Sequence, residues 1–291
     1  MGGASSSADA YGYAASWALV DRIATTAGEA HLAMALKRIV AGVSAYDPVQ
    51  PDGEGADGRP FPAVDTRRLL DQLSAVSVVD VSDLFRDTAF GPEAAPELAQ
   101  REAARDAYRR LLTRAGDWGA PEPVRRAMDE WRFDEAEAGI SEASAWLVER
   151  DELIAEAAAS GLVPPDRLRD RYVVAGGGPE ASSELEAERA VVHAYGAMQE
   201  RVLAPRSPME AVGLFLTDAP TRSLAEAAGS FGQGDLQAAA AALDRLELQL
   251  NRASSDGVVR LATIVVLVAV LGLGVGVTLR RRSGSHYTAA P

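Results

Sequence analysis

Histidine and cysteine are the first residues to consider for chemistry, and their number and spacing restrict what this chain can do. The sequence contains three histidines, His31, His193 and His286, and no cysteine. The lack of cysteine removes disulfides, thiolate zinc sites and cysteine nucleophiles, and it fits an exported bacterial protein. No H-E-x-x-H motif occurs, and no two histidines are close enough in sequence to suggest a shared metal ion. We therefore expect no metal or cofactor site within this chain.

Glycine-rich and acidic segments are weaker candidates. The segment 52–58 (DGEGADG) carries carboxylates, but its register departs from the EF-hand pattern, so we interpret it as a solvated turn. The triplet 176–178 (GGG) does not follow a clear strand, which favours a linker over a phosphate-binding loop. The acidic runs 149–152 and 184–188 are predicted to be solvated helix faces, because paired carboxylates alone do not form an acid/base site.

The strongest signal in the sequence is an uncharged apolar segment near its C-terminal end. Residues 261–279 read LATIVVLVAVLGLGVGVTL, and three arginines follow at 280–282. About 20 residues at roughly 1.5 Å each match a hydrocarbon core of about 30 Å. We predict a transmembrane helix over 257–280 and a tail over 281–291. Because cationic flanks tend to stay in the cytoplasm, we predict one pass through the cell membrane, with a cytoplasmic tail and an extracytoplasmic N-terminal region.

Two glycines inside this segment suggest a second partner besides the lipid bilayer. Gly272 and Gly276 form a G-x-x-x-G motif. Small residues four positions apart let two membrane helices approach closely. A homodimer through this face is therefore an expectation.

Composition excludes one class of partner. The formal net charge is −13, from 29 basic and 42 acidic residues. A surface with this charge repels phosphate backbones, so we expect no nucleic-acid partner. The content of 47% hydrophobic and 24% charged residues is ordinary for a folded protein that can bury a core.

The elements that must position any site are helical almost throughout. Apolar residues recur at helical spacing, and Gly and Pro clusters separate the segments. We predict an all-α fold in which a helical hairpin unit over 1–91 precedes an extracytoplasmic helical bundle over 92–256. Residues 76–81 (VSVVDV) are the one segment that could form a short strand.

The first 90 residues resemble the part of gluzincin-type zinc aminopeptidases that follows the metal motif. The segments concerned are 11–19 (YGYAASWAL), 28–32 (GEAHL), Tyr46, 64–71 (VDTRRLLD) and 83–85 (DLF). In that family a tyrosine opens a helix of the form Y-x-x-G-x-x-x-L and helps zinc to hold the oxyanion of the tetrahedral intermediate. Tyr11 stands at the matching position, with Ala14 in place of the family glycine, and Tyr13 is an alternative match.

The resemblance implies a longer protein. The H-E-x-x-H motif and the third zinc ligand of the family lie upstream of its tyrosine, and only ten residues precede Tyr11. No signal peptide is visible before the predicted extracytoplasmic region. We therefore expect the chain to be the C-terminal portion of an exported protein, with zinc and a peptide substrate bound only in a longer form.

Two functional hypotheses follow from the sequence. The first is the C-terminal portion of a membrane-anchored metallopeptidase-like protein that is not catalytically competent by itself. The alternative is a non-enzymatic, membrane-anchored helical module that binds a partner or spaces it from the membrane. The sequence leaves the substrate and the partner open.

Overall fold

The fold is all-α, as predicted. Residues 4–47, 65–215 and 220–283 are described by a computed structural model of the chain, and within these ranges there are twelve α-helices and no β-strand. The α-helices are α1 (Ala4–Ala27), α2 (Glu29–Val40), α3 (Thr66–Val76), α4 (Ser82–Phe85), α5 (Ala95–Ala115), α6 (Glu122–Asp129), α7 (Phe133–Ala159), α8 (Arg167–Ala175), α9 (Pro179–Leu203), α10 (Pro208–Leu214), α11 (Pro220–Gly232) and α12 (Leu236–Ser283). Single turns of π- or 3-10 helix occur at Arg86–Phe90, Pro92–Ala94 and Gly116–Trp118.

Two compact units divide the chain. Unit 1 comprises Met1–Glu149 and Arg169–Ser182, and unit 2 comprises Arg150–Leu168 and Ser183–Pro291. The sequence-predicted boundary after residue 91 falls inside unit 1 and stays a prediction.

Local sequence signals account for the first helices of unit 1. Gly28 separates α1 from α2 with a φ of +96°, a backbone conformation that favours glycine. The Asp65 side chain caps α3 by accepting a hydrogen bond from the Arg68 N–H at 2.7 Å. Leu70 and Leu73 then lie one turn apart and are fully buried. The 3.6-residue period therefore fixes which face of α3 joins the core.

The segment 76–81, which the sequence suggested as a short strand, forms no strand. Residues 77–81 join α3 to α4 without strand pairing, and Val78 is fully exposed. Its neighbour Asp80 instead accepts a hydrogen bond from the Ser82 N–H at 2.8 Å. A lone extended segment has no ladder to join in an all-helical unit, which explains why its β-branched residues do not form a strand.

In unit 2, α11 and α12 form a hairpin. Asp235 caps α12 by accepting a hydrogen bond from the Ala238 N–H at 2.8 Å. A salt bridge of 2.7 Å joins Arg245 of α12 to Glu226 of α11. The buried residues of the first part of α12 follow the 3.6-residue period of a helix and form one stripe: Ala239, Ala242, Leu243, Leu246, Ala253 and Gly257. This stripe faces the rest of unit 2 and ends at Gly257.

Candidate functional site

The residues chosen from the sequence lie at the two ends of the described chain. Tyr11 and Tyr13 belong to α1, but their side chains are outside the part that the structure describes. Gly272 and Gly276 lie in α12 one turn apart, hence on one face of the helix. The homodimer that they suggest stays a prediction. His286 and the segment 52–58 are outside the described residues.

The last part of α12 is the most prominent unpacked surface of unit 2. Its 48 residues run without a break, and α12 is long and apolar enough to cross a membrane. Every residue over 261–271 is exposed. Eight large aliphatic side chains in this range are between 41% and 62% exposed. The same helix is therefore packed against protein up to Gly257 and uncovered over 261–271.

The polar groups of the exposed segment are hydrogen-bonded within the helix, which also suits an apolar environment. Thr263 is the only polar residue over 261–271, and its hydroxyl donates a hydrogen bond to the Val259 carbonyl at 2.9 Å. The backbone groups are hydrogen-bonded within the helix. In hydrocarbon each unsatisfied polar group costs several kcal/mol, so this internal satisfaction removes the main penalty for entering lipid.

Just before the exposed segment, α10 crosses α12 at very short range. A methyl group added at Gly213 would overlap the backbone carbonyl of Ala253, and one added at Gly257 would overlap the backbone carbonyl of Met209. Both obstacles are backbone atoms, which cannot rotate away as a side chain could. The two glycines are therefore required for this crossing, as small residues are at close helix contacts in general.

Arg260 of α12 also forms a hydrogen bond at the C-terminal end of α10. The Arg260 guanidinium donates a hydrogen bond to the carbonyl oxygen of Phe215, the residue that follows α10. The last carbonyls of a helix have no partner within it, and a cation near them is favourable. The other end of α10 carries a capping box formed by Ser207 and Glu210. This helix of seven residues is thus held at both ends and along its face.

A second polar arrangement lies inside unit 1 around Asp71. Its carboxylate accepts hydrogen bonds from Arg101 Nε at 2.7 Å, from the Tyr46 hydroxyl at 3.0 Å and from Trp131 Nε1 at 2.7 Å. Arg101 and Asp71 are 1% and 3% exposed. The structure therefore brings together Tyr46 and Asp71, two residues within the segments that carry the gluzincin resemblance.

The hydrogen bonds of the Asp71 cluster stabilise unit 1. Burial, together with the neighbouring Asp71 charge, raises the pKa of Tyr46, so its hydroxyl stays protonated and donates. Arg101 also donates to the Ser74 hydroxyl at 2.8 Å. A buried ion pair with its remaining hydrogen bonds made is costly to break on one side, by about 3–5 kcal/mol. The cluster holds α3, α5 and the chain around Trp131 together.

A third site corrects the interpretation of the acidic run 184–188 as a solvated face. Glu188 is fully buried and Glu184 is 8% exposed, whereas Glu186 is exposed. Positions 184 and 188 fall on the apolar stripe of α9 with Leu185. Their position on the helix therefore buries the two side chains although they are acidic. Arg167 of α8 lies 2.7 Å from a carboxylate oxygen of Glu184 and balances its charge.

Glu188 is less well compensated, because the Arg167 charge only partly opposes the effects that raise its pKa. Neither of its carboxyl oxygens has a hydrogen-bond partner among the described residues. Desolvation and the nearby Glu184 charge raise the pKa of Glu188 to about 8. The side chain is therefore a neutral acid at neutral pH, and it acts as a buried, titratable element of unit 2.

Sequence reasoning missed these contacts for identifiable reasons. The small pair Ala253 and Gly257, four residues apart just before the apolar segment, is a signal for a close helix crossing. Its partner Gly213 lies forty residues earlier in a short helix, and nothing in the sequence pairs the two. No group of three or more metal-ligating side chains occurs in the described residues.

Comparison with known proteins adds no relative. No protein-family model, no curated protein and no solved structure matches the chain. The resemblance to gluzincin aminopeptidases therefore stays a prediction.

Replacing Glu188 by glutamine should change the pH dependence of stability. The folded protein keeps a proton on Glu188 up to about pH 8, while the unfolded chain loses it near the usual value of 4.5. The free energy of unfolding therefore falls as pH rises through this window, by up to about 1.4 kcal/mol per pH unit, and levels off above it. Glu188→Gln should unfold several degrees higher than the parent at pH 9, as followed by circular dichroism in detergent.

Glu186→Gln is the matched control, because Glu186 is exposed on the same helix. It should leave the unfolding midpoint near that of the parent at pH 5 and at pH 9. An advantage of Glu188→Gln that is equal at the two pH values would contradict a raised pKa.

Replacing Gly213 by alanine should separate α10 from α12. The added methyl group would meet backbone atoms, and overpacking of this kind typically costs about 1–3 kcal/mol. Amide hydrogen exchange in α10 should accelerate roughly 5- to 100-fold, as measured by mass spectrometry on the full chain. In Gly229→Ala, the control on α11, the methyl group meets nothing within 4 Å, so exchange should stay the same or slow down. Unchanged exchange of α10 in Gly213→Ala would rule out the close crossing.

Proposed function

We propose that this chain is a membrane-anchored helical module, in which α12 crosses the bilayer and holds unit 2 at the membrane surface. The module would bind a partner or space it from the membrane. The observation that carries the proposal is the exposure of α12 over 261–271, which continues without a break from the packed part of the same helix.

The energetics of the exposed segment favour lipid as its surroundings. Burial of a large aliphatic side chain is worth about 1.5–3 kcal/mol when it is complete. For eight half-exposed side chains the sum is roughly 10 kcal/mol, which is comparable with the whole stability of a domain. A segment of this kind is therefore unfavourable in water and favourable in a bilayer.

The direction of insertion follows from charge. Three arginines follow the apolar segment at 280–282, whereas Arg260 is the nearest basic residue before it. The positive-inside tendency then places the tail in the cytoplasm and the units outside, with a single pass. A net charge of −13 suits a domain that stays off anionic lipid headgroups.

The peptidase-like origin remains the other hypothesis. It predicts no zinc site in this chain, and no described contact favours it over the module. Stoichiometric, tight zinc binding by the purified chain together with peptidase activity would overturn the expectation that the chain is inactive by itself.

Single-cysteine labelling should locate both sides of the membrane. The chain has no cysteine, so each introduced thiol is unique. In intact cells an impermeant maleimide should label Leu203→Cys, which replaces a side chain that is 77% exposed in unit 2. Ser285→Cys in the tail should be labelled only after the cells are permeabilised. Val266→Cys should react poorly in both cases and fully once the protein is denatured.

The same experiment can refute the proposal. Recovery of the chain in the soluble fraction, or rapid labelling of Val266→Cys without denaturation, would contradict membrane anchoring. Labelling of Ser285→Cys but not of Leu203→Cys in intact cells would reverse the proposed orientation.

A further inference from the structure

Phe215 is exposed beside the point where α12 leaves unit 2. It follows α10 and is 70% exposed, although Leu214 just before it is buried. Its carbonyl oxygen accepts the hydrogen bond from Arg260, the residue directly before the apolar segment. The Phe215 backbone therefore lies within the reach of one arginine side chain from the start of that segment.

Two more exposed apolar residues belong to the same level of α12. Val258 and Val259 are 56% and 64% exposed and immediately precede Arg260. We call Phe215, Val258 and Val259 the collar. The collar is continuous with the exposed side chains over 261–271, so a lipid phase that covers these side chains reaches the collar as well.

The position of the collar is fixed by packing. The backbones of α10 and α12 meet closely at Gly213 and Gly257, and the Arg260 hydrogen bond holds the end of α10. The backbone of Phe215 is thus held next to α12. Its exposed side chain can offer a membrane a second contact at this level.

The polar groups at this level also fit the interface between headgroups and acyl chains. Apolar and aromatic side chains are favourable at that boundary, where amphipathic segments bury their apolar face by about 5–10 Å. The free end of α10 would otherwise bring an unpaired carbonyl to a region with little water, and Arg260 supplies its donor. The aliphatic stem of Arg260 can lie against acyl chains while its guanidinium stays near the headgroups.

We propose that the collar is a second lipid-contacting site, in which Phe215 inserts into the interfacial region of the leaflet on the unit 2 side and fixes how unit 2 sits on the membrane. The proposal rests on the proposed anchoring of α12 and adds a contact outside the helix that spans the bilayer. The occupant is lipid because the collar continues the surface that α12 offers to the bilayer.

Depth-dependent fluorescence quenching tests the collar directly. Phe215→Cys, Val259→Cys, Val266→Cys and Leu203→Cys are each labelled with an environment-sensitive fluorophore in the otherwise cysteine-free chain. The labelled full chains are placed in phosphatidylcholine vesicles that carry a nitroxide either near the headgroup or near the middle of the acyl chain. Circular dichroism of each variant checks that the helices are retained.

The expected pattern separates three depths. The probes at positions 215 and 259 should be quenched at least about twofold more by the shallow nitroxide than by the deep one. The probe at 266 should show the reverse, and the probe at 203 should be quenched by neither.

The outcomes distinguish the two proposals. Quenching at 266 with none at 215 would overturn the collar and leave the anchoring of α12 intact. No quenching at 266 would overturn the anchoring itself, and the collar proposal with it. Quenching at 215 that is stronger with the deep nitroxide would place Phe215 in the acyl core and contradict an interfacial site.

Discussion

The continuous backbone hydrogen bonding of α12 joins a part of the helix that packs on unit 2 to an exposed apolar part. In its first part the helix is amphipathic and presents small and aliphatic residues to unit 2 up to Gly257. Over 261–271 every residue is exposed. An unbroken α-helix bends only gently, so the packing of α12 on unit 2 determines the direction of the apolar segment relative to unit 2. A membrane around the apolar segment would in turn orient unit 2.

The close crossing of α10 makes this coupling firm. Two glycines allow backbones to meet at the last packed turn of α12, and Arg260 ties the end of α10 to the next turn. The crossing thus lies at the point where α12 leaves unit 2 and the apolar segment begins. Elsewhere unit 2 carries the buried acid Glu188 without a hydrogen-bond partner among the described residues, whereas the buried carboxylate of Asp71 in unit 1 is hydrogen-bonded to Arg101.

Much of the fold could be predicted from the sequence because its signals are local. The capping residue Asp65 and the leucine period define α3 within one residue, and an uncharged run of 19 residues identifies the apolar segment. The misread features depend on contacts distant in sequence. The burial of Glu188 requires the elements packed on α9, and the crossing requires Gly213 to meet Gly257. Periodicity shows which face of a helix is buried but not what covers it.

A distance within α12 tests most directly whether one unbroken helix joins unit 2 to the apolar segment. Leu248→Cys and Val266→Cys are both exposed positions and lie five full turns apart on the same face, one on each side of Gly257. With a spin label at each, double electron–electron resonance of the full chain in lipid nanodiscs should give a single narrow distance near 27 Å, at about 1.5 Å per residue. A broad distribution, or a main distance well below this value, would show a break near Gly257 and contradict the account.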